Sequence, residues 1–450
     1  MTRTSSAVTG DVPESGPAEA EAAERTNPGE VAEADVVVVG SGLAGLTAAT
    51  YAARAGATVL RVEARRAAGG RARSDEVAGC TVDFGPHALY RTGATRRVVD
   101  ELAIPWSGGR PRQRGLGWIV GGRRLPGLAP RAFGGPRGLQ ALARVLRPST
   151  AERYRGRSVA DVLADQPAAA RPVIAALVRL ATYTAHPEDL EATAGLAQLR
   201  RGARLVDYLD GGWQTLVDGF GDAARRAGAA ERLGKVTGVA RDGDRWRVAL
   251  GDGSVVRAGA VVLAVGGAAD ASRLVGGASA ALERWAAAAT PVYAACLSVL
   301  CDGPSTRRVG AYALDRPVYT IDQARSARLG PPGHHVIHGL YYQPDRTPEV
   351  DPRAAIEAQL TAWYPGWRER VVDVVERRRV VVAHDQPRPT GERAGVVIPD
   401  LDGVFLAGDA VTDDGLLADA ATSSGRRAGL AAAAAARPGR PASARAGVVG

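Results

Sequence analysis

Gly40, Gly42 and Gly45 follow the apolar run Val36–Val39 and open the alanine-rich stretch Leu43–Ala55, in the spacing Gly-x-Gly-x-x-Gly. Glycine at the first position permits a tight turn, at the second lets backbone approach a pyrophosphate, and at the third lets a helix pack closely on a strand. A helix starting there aims free N–H groups and its positive dipole end at phosphate, so Ser41, Leu43 and Ala44 join the glycines as a candidate cradle. A second strand, Thr58–Val62, ends at Glu63, 23 positions after Gly40. A carboxylate at that point can accept a ribose hydroxyl, and an acid rather than arginine there disfavours a 2′-phosphate. The chemistry of this constellation is dinucleotide binding.

Directly after Glu63 stands Ala64-Arg65-Arg66-Ala67-Ala68-Gly69-Gly70-Arg71-Ala72-Arg73-Ser74. Arginine suits phosphate because its charge and fork of donors match the oxygens. The run resembles the Gly-Gly-Arg signature that follows the ribose-binding acid in the amine oxidase, protoporphyrinogen oxidase and phytoene desaturase superfamily of FAD flavoproteins, closest to the phytoene desaturase-like branch. The resemblance implies that Ala64, Arg65, Gly69, Gly70, Arg71 and Arg73 wrap the pyrophosphate and ribityl chain of a non-covalent FAD. Two later segments extend it. Lys235-Val236, a hairpin and Val261–Val265 look like the second FAD segment, which implies Val236 backbone against adenine and Ala264 nearby. Gly403-Val-Phe-Leu-Ala-Gly408-Asp409, leading to Gly415 and a helix, is similar to the closing motif; it implies Gly408 and Asp409 at the ribityl–pyrophosphate region and Leu416 and Leu417 near the flavin. Asp83-Phe84-Gly85-Pro86-His87 occupies the place where the family brings backbone against the ring. Gly85 and Pro86 are therefore expected as cofactor neighbours, and His87 as the candidate catalytic residue, with a purely structural histidine as the alternative.

Within the superfamily, monoamine and polyamine oxidases place a lysine beside the flavin. The only lysine here is Lys235, on the adenine-proximal strand. Val265-Gly266-Gly267 lacks a third glycine and a downstream acid, so a second, NAD(P)H-binding unit is not expected and the acceptor is oxygen, a quinone or another carrier. The resemblance thus implies an FAD-dependent oxidoreductase of desaturase or dehydrogenase type, moving hydride from a substrate carbon to the flavin to make a C=C or C=N bond. Few acidic clusters outside the dinucleotide segments favour an apolar or secondary-metabolite small molecule. The alternatives are an amine or amino-acid oxidase, a non-redox FAD-dependent isomerase, and a binding protein that has lost its flavin.

The elements that must position these residues alternate strand-like and helix-like, which predicts an α/β fold. The resemblance implies a Rossmann-type FAD-binding domain, discontinuous over 32–105, 200–270 and 390–437, with a second α+β substrate-binding domain over 106–199 and 271–389. Arg245–Leu250 and Val255–Val265 read as a hairpin around Asp252-Gly253. Ser158–Leu180 and Asp351–Trp363 carry helical patterns. Residues 1–31 and 438–450, rich in small residues and proline, read as disordered tails. The chain has 450 residues, 46% hydrophobic and 23% charged, with 57 basic against 48 acidic side chains. The net charge of +9 is dispersed rather than clustered, so a nucleic-acid partner is not expected. Cys80, Cys296 and Cys301 form no metal or disulfide framework. His334, His335 and His338 read as a turn and a strand rather than ligands, and no metal is expected. No apolar run reaches the roughly 18 residues of a membrane span, and with no secretory pattern a cytoplasmic location is expected. The sequence does not indicate an oligomeric state.

Overall fold

The computed structural model describes residues 31–127, 135–303, 306–344, 350–411 and 414–437. Nearly all of both expected tails lies outside these residues, but Val31 does not: it begins the first strand.

Strand β1 (Val31–Val39) leads through the glycine turn into helix α1 (Leu43–Arg54), which returns to strand β2 (Val59–Glu63). Both strands run parallel, with Val36–Val39 paired to Val59–Val62. Val255–Leu263 lies parallel on the other side of β1, and Val404–Leu406 and Ala230–Leu233 extend the parallel part at its two ends. The hairpin partners Arg245–Leu250 and Val236–Asp242 complete a seven-stranded sheet in antiparallel register. Parallel strands covered on both faces must be apolar throughout, which is why Val36 to Val39 form an unbroken run with at most 5% exposure.

Helix Ala418–Ala436 lies against α1, closely enough that a Cβ on Gly425 would sit 2.4 Å from the Ala44 carbonyl oxygen and one on Gly429 2.2 Å from that of Ala48. Alanine and glycine on both helices make this approach possible, and it fixes where the second helix begins.

The second sheet has strand order Val371–Ala383, Val292–Cys301, His335–Gln343, Val318–Asp322, Gly310–Ala313, Leu116–Val120, Arg123–Pro126. Helix Pro352–Trp363, capped by the Asp351 carboxylate, covers one face through Ile356, Leu360 and Trp363. The opposite face, with Cys296, Leu340 and Tyr342, packs toward the dinucleotide unit.

Two expectations shift. Residues 271–289, assigned to the substrate domain, instead pack on the first sheet, where Ala271, Leu282 and Trp285 join the core of Val36–Val39. The helical stretch Ser158–Leu180 is interrupted around Pro167 into helices Val159–Ala164 and Arg171–Thr182, since proline cannot continue a helix it does not begin. Among the described residues, no helix is long and apolar enough to cross a membrane.

Candidate functional site

The glycine turn behaves as its spacing demands. Gly40 has φ +102°, and a Cβ there would lie 2.5 Å from the Ala264 carbonyl oxygen; a Cβ on Gly45 would lie 1.9 Å from the oxygen of Gly40. Gly42 is different, because no atom comes within 4 Å of its Cβ position. It is also the N-cap of α1 and supplies no side-chain cap, so the first N–H groups of that helix are left for whatever fills the space in front of them. The Gly-Gly-Arg loop closes on the same point: Gly69 N–H donates to the Ser41 carbonyl at 2.7 Å, and a Cβ on Gly70 would lie 3.5 Å from Gly42 Cα. Glu63 accepts the Ser41 N–H at 2.6 Å through one oxygen and the Arg65 N–H at 3.0 Å through the other. These bonds orient the carboxylate and leave further lone pairs for a hydroxyl.

Arg71 and Asp409, more than three hundred residues apart, are an ion pair. Arg71 also donates to the Val382 carbonyl at 2.7 Å. The Asp409 carboxylate accepts the His384 backbone N–H at 2.7 Å and pairs with its Nδ1 at 3.0 Å. Burial alone would raise this carboxyl, but Arg71 and His384 more than reverse it and hold Asp409 well below the usual carboxylate range. A permanent anion thus locks the arginine loop, the last strand of the first sheet and the end of the second sheet together.

Farther along, Phe84 lies between the guanidinium groups of Arg73 and Arg377, each 4.1 Å from the ring centre. The His87 ring is 5.1 Å from Trp213, with Nδ1 3.1 Å from the Gly85 carbonyl. Burial pushes its imidazole below the ordinary value, against the pull of the buried Asp83 carboxyl. A neutral His87 that donates from Nδ1 keeps a lone pair at Nε2. Tyr183, a non-glycine residue at φ +61°, donates its hydroxyl to the Pro86 carbonyl at 2.6 Å.

These groups share one cavity of about 1010 Å³, at the upper end of the range for ligand sites. It lies at the carboxyl ends of β1, Val255–Leu263 and Val404–Leu406, where open α/β sheets bind ligands. Of the cofactor residues expected from sequence, Gly45 and Leu416 alone do not line it: Gly45 works behind the wall as the helix-packing glycine, and Leu416 is buried away from it. Trp213, Tyr183, Cys296, Leu340, His384 and Asp419 line it without having been anticipated. The first five come from elements with no spacing signature, so only the chain's path brings them in, whereas Asp419 lies at the start of the helix that follows the closing motif. Lys235 lines the cavity beside Gly234, whose N–H donates to the Glu63 carbonyl at 2.8 Å, and so stands at the ribose-acid end. The histidines near Gly333 are elsewhere: His338 Nδ1 is 2.8 Å from Ser298 Oγ, and His335 bonds the Gly303 carbonyl at 2.7 Å.

The residues present fit an FAD. The cradle at Gly42 is a space a Cβ would fill, two glycine loops and an uncapped helix face it, and Glu63 offers free acceptor capacity.

A family model described as an NAD(P)-binding Rossmann-like domain matches residues 38–102. A hydroxyneurosporene desaturase of Rhodobacter capsulatus is 47% identical over 70 residues, 16% of this chain and 13% of that protein. A Mycobacterium tuberculosis protein provisionally named a flavin-containing monoamine oxidase is 30% identical over 218 residues, 44% of this chain and 48% of that one. The matches thus span half or less of these curated relatives. A solved putrescine oxidase variant superposes with a TM-score of 0.71 at 17% identity, over 90% of this chain and all of that one. At that identity the likeness speaks for the fold. Desaturase and amine oxidase are the names of the superfamily whose motifs the sequence resembles.

Proposed function

We propose that this protein is an FAD-dependent oxidoreductase of desaturase or dehydrogenase type, acting on an apolar small molecule. One observation carries the reading: the glycine turn, the arginine loop and the late Gly408-Asp409 segment, distant in sequence, line a single cavity together with Glu63. FAD, when bound, supplies the acceptor for a hydride from a substrate carbon. Gly42 and the α1 N–H groups would hold the pyrophosphate, and Glu63 would accept a ribose hydroxyl, while Arg71, its charge shared with Asp409, borders the same space.

The remaining wall defines the substrate side. Leu340, Cys296 and Val380–Val382 are apolar, and burial pushes the Cys296 thiol up to about 12, so it stays a neutral, greasy group. The hydroxyls of Tyr183 and Tyr90 donate to backbone carbonyls, which leaves their ring faces to exclude water. His87 Nε2 is the atom that takes a proton from the substrate. The test is to denature the purified protein, identify the released chromophore, and screen substrates anaerobically for flavin bleaching. Release of FAD and bleaching by an alkyl substrate are expected; a colourless protein overturns the reading.

The amine oxidase reading has support in the 218-residue match. Against it, the chain's lysine lies at the ribose-acid end of the cavity. Hydrogen peroxide release with an amine would favour it, whereas steady turnover without any acceptor would point to an isomerase.

A further inference from the structure

His384 follows the edge strand Val371–Ala383 of the second sheet and lines the cavity together with Val380–Val382. Its ring is held by one side only. Nδ1 pairs with Asp409 at 3.0 Å, and the same carboxylate accepts the His384 backbone N–H at 2.7 Å. Nε2, on the other side, has no hydrogen-bond partner among the described residues and is not sealed in the wall; the side chain is 25% exposed. The ring rests on Gly266 and Gly267, the glycine pair whose spacing does not make a second dinucleotide unit. A Cβ on Gly266, at φ +110°, would lie 3.0 Å from Nε2 and 2.6 Å from an Asp270 oxygen, and one on Gly267 would lie 3.2 Å from the His384 Cβ. This pair is fixed beside the phosphate cradle. The Ala264 N–H donates to the Val39 carbonyl at 2.9 Å, and the Ala264 oxygen is the atom that a Cβ on Gly40 would strike. Nε2 therefore opens onto the cavity next to the first glycine turn.

The fixed charges around the ring cancel. Asp409 and Arg71 form one ion pair, Asp270 and Arg273 on helix Ala268–Leu274 form a second, and Asp385, the next residue, pairs with Arg393. A pyrophosphate brings two negative charges into this neutral setting, and histidine is the side chain that can gain a compensating proton near neutral pH. Asp409 already occupies Nδ1, so the added proton makes Nε2 a donor. We infer that His384 is a phosphate ligand of this chain, taking up a proton as FAD binds and donating from Nε2 to a pyrophosphate oxygen. The inference rests on the FAD reading. Because the bound state holds one more proton than the free one, Kd rises with pH, by up to about tenfold per unit. In acid, where the free protein already carries the proton, the dependence flattens.

The experiment dilutes the full-length holoenzyme and reads the fluorescence of released FAD, giving Kd from about pH 5.5 to 8.5. Wild type should bind at least about tenfold more weakly at the alkaline end. H384N keeps an amide donor for Asp409 but lacks Nε2; it should bind about tenfold more weakly than wild type near pH 6, with a flat profile. H384Q, which offers a donor that does not titrate, should recover part of that affinity and still show no slope. A flat wild-type profile overturns the inference, as does a slope retained in H384N, which gives the proton to another group. Lost affinity in H384N beside a flat wild type would make Nε2 an acceptor for a cofactor hydroxyl, and also overturns it. Should H384N fail to fold, the wild-type profile and H384Q decide. A wild type that releases no FAD sinks the cofactor reading itself.

Discussion

Four donor contacts meet on the single carboxylate of Asp409, two from Arg71 and two from His384. Because its folded pKa is depressed, the stability it contributes is fully present above the unfolded value of about 3.9 and is lost as pH falls through the folded one. Asp409→Asn should cost about 2 kcal/mol at pH 7 by urea unfolding, with the difference from wild type shrinking below about pH 4. Glu63 has a different kind of role, as it faces the cavity and braces Ser41 and Arg65. Glu63→Arg should abolish flavin retention on a desalting column, since it puts a cation and bulk where a hydroxyl acceptor is needed. Full occupancy in that variant would remove Glu63 from the site.

At the scale of elements, the alanine- and glycine-rich helices bring two N-termini to one cavity, and their spacing is set by backbone contact. Gly45→Ala pushes a methyl group into the Gly40 carbonyl, backbone that cannot yield without moving α1 off β1, and should cost about 3 kcal/mol. Gly56→Ala is the comparison: its φ of +87° is unfavourable, but nothing lies within 4 Å, so about 1 kcal/mol is expected from backbone strain alone. Urea midpoints of the two variants, read side by side, check the ranking. Equal losses would mean that the close helix–strand approach is not what Gly45 serves.

For the whole molecule, the cavity lies where the carboxyl ends of the first sheet meet the inner face of the second, with wall residues from both. A ligand spanning that junction must stabilise the pair. Free FAD at a hundredfold above its Kd should raise unfolding free energy by about 2.7 kcal/mol, measured by thermal or urea unfolding of apo and reconstituted protein. No shift with FAD, or an equal shift with NAD, would count against the proposed cofactor.

What the sequence determined by itself was local and periodic. The β1–turn–α1–β2 unit, the ribose acid at its end and the hairpin before Val255 follow from hydrophobic pattern and glycine spacing, because adjacent residues must satisfy those constraints together. The break near Pro167 was also written in the chain, although a continuous helical pattern obscured it. The tertiary structure alone decided the rest. Helices Ala268–Leu274 and Ala280–Ala288 carry no mark of the sheet they pack on. Arg71 finds Asp409, and Phe84 lies between Arg73 and Arg377, only once distant strands align. Tyr183, His384 and Asp419 reach the cavity because of where two sheets and two parallel helices end. Periodicity encodes which face of an element is buried; which distant element covers that face is settled by packing, and the cavity is what the packing leaves between them.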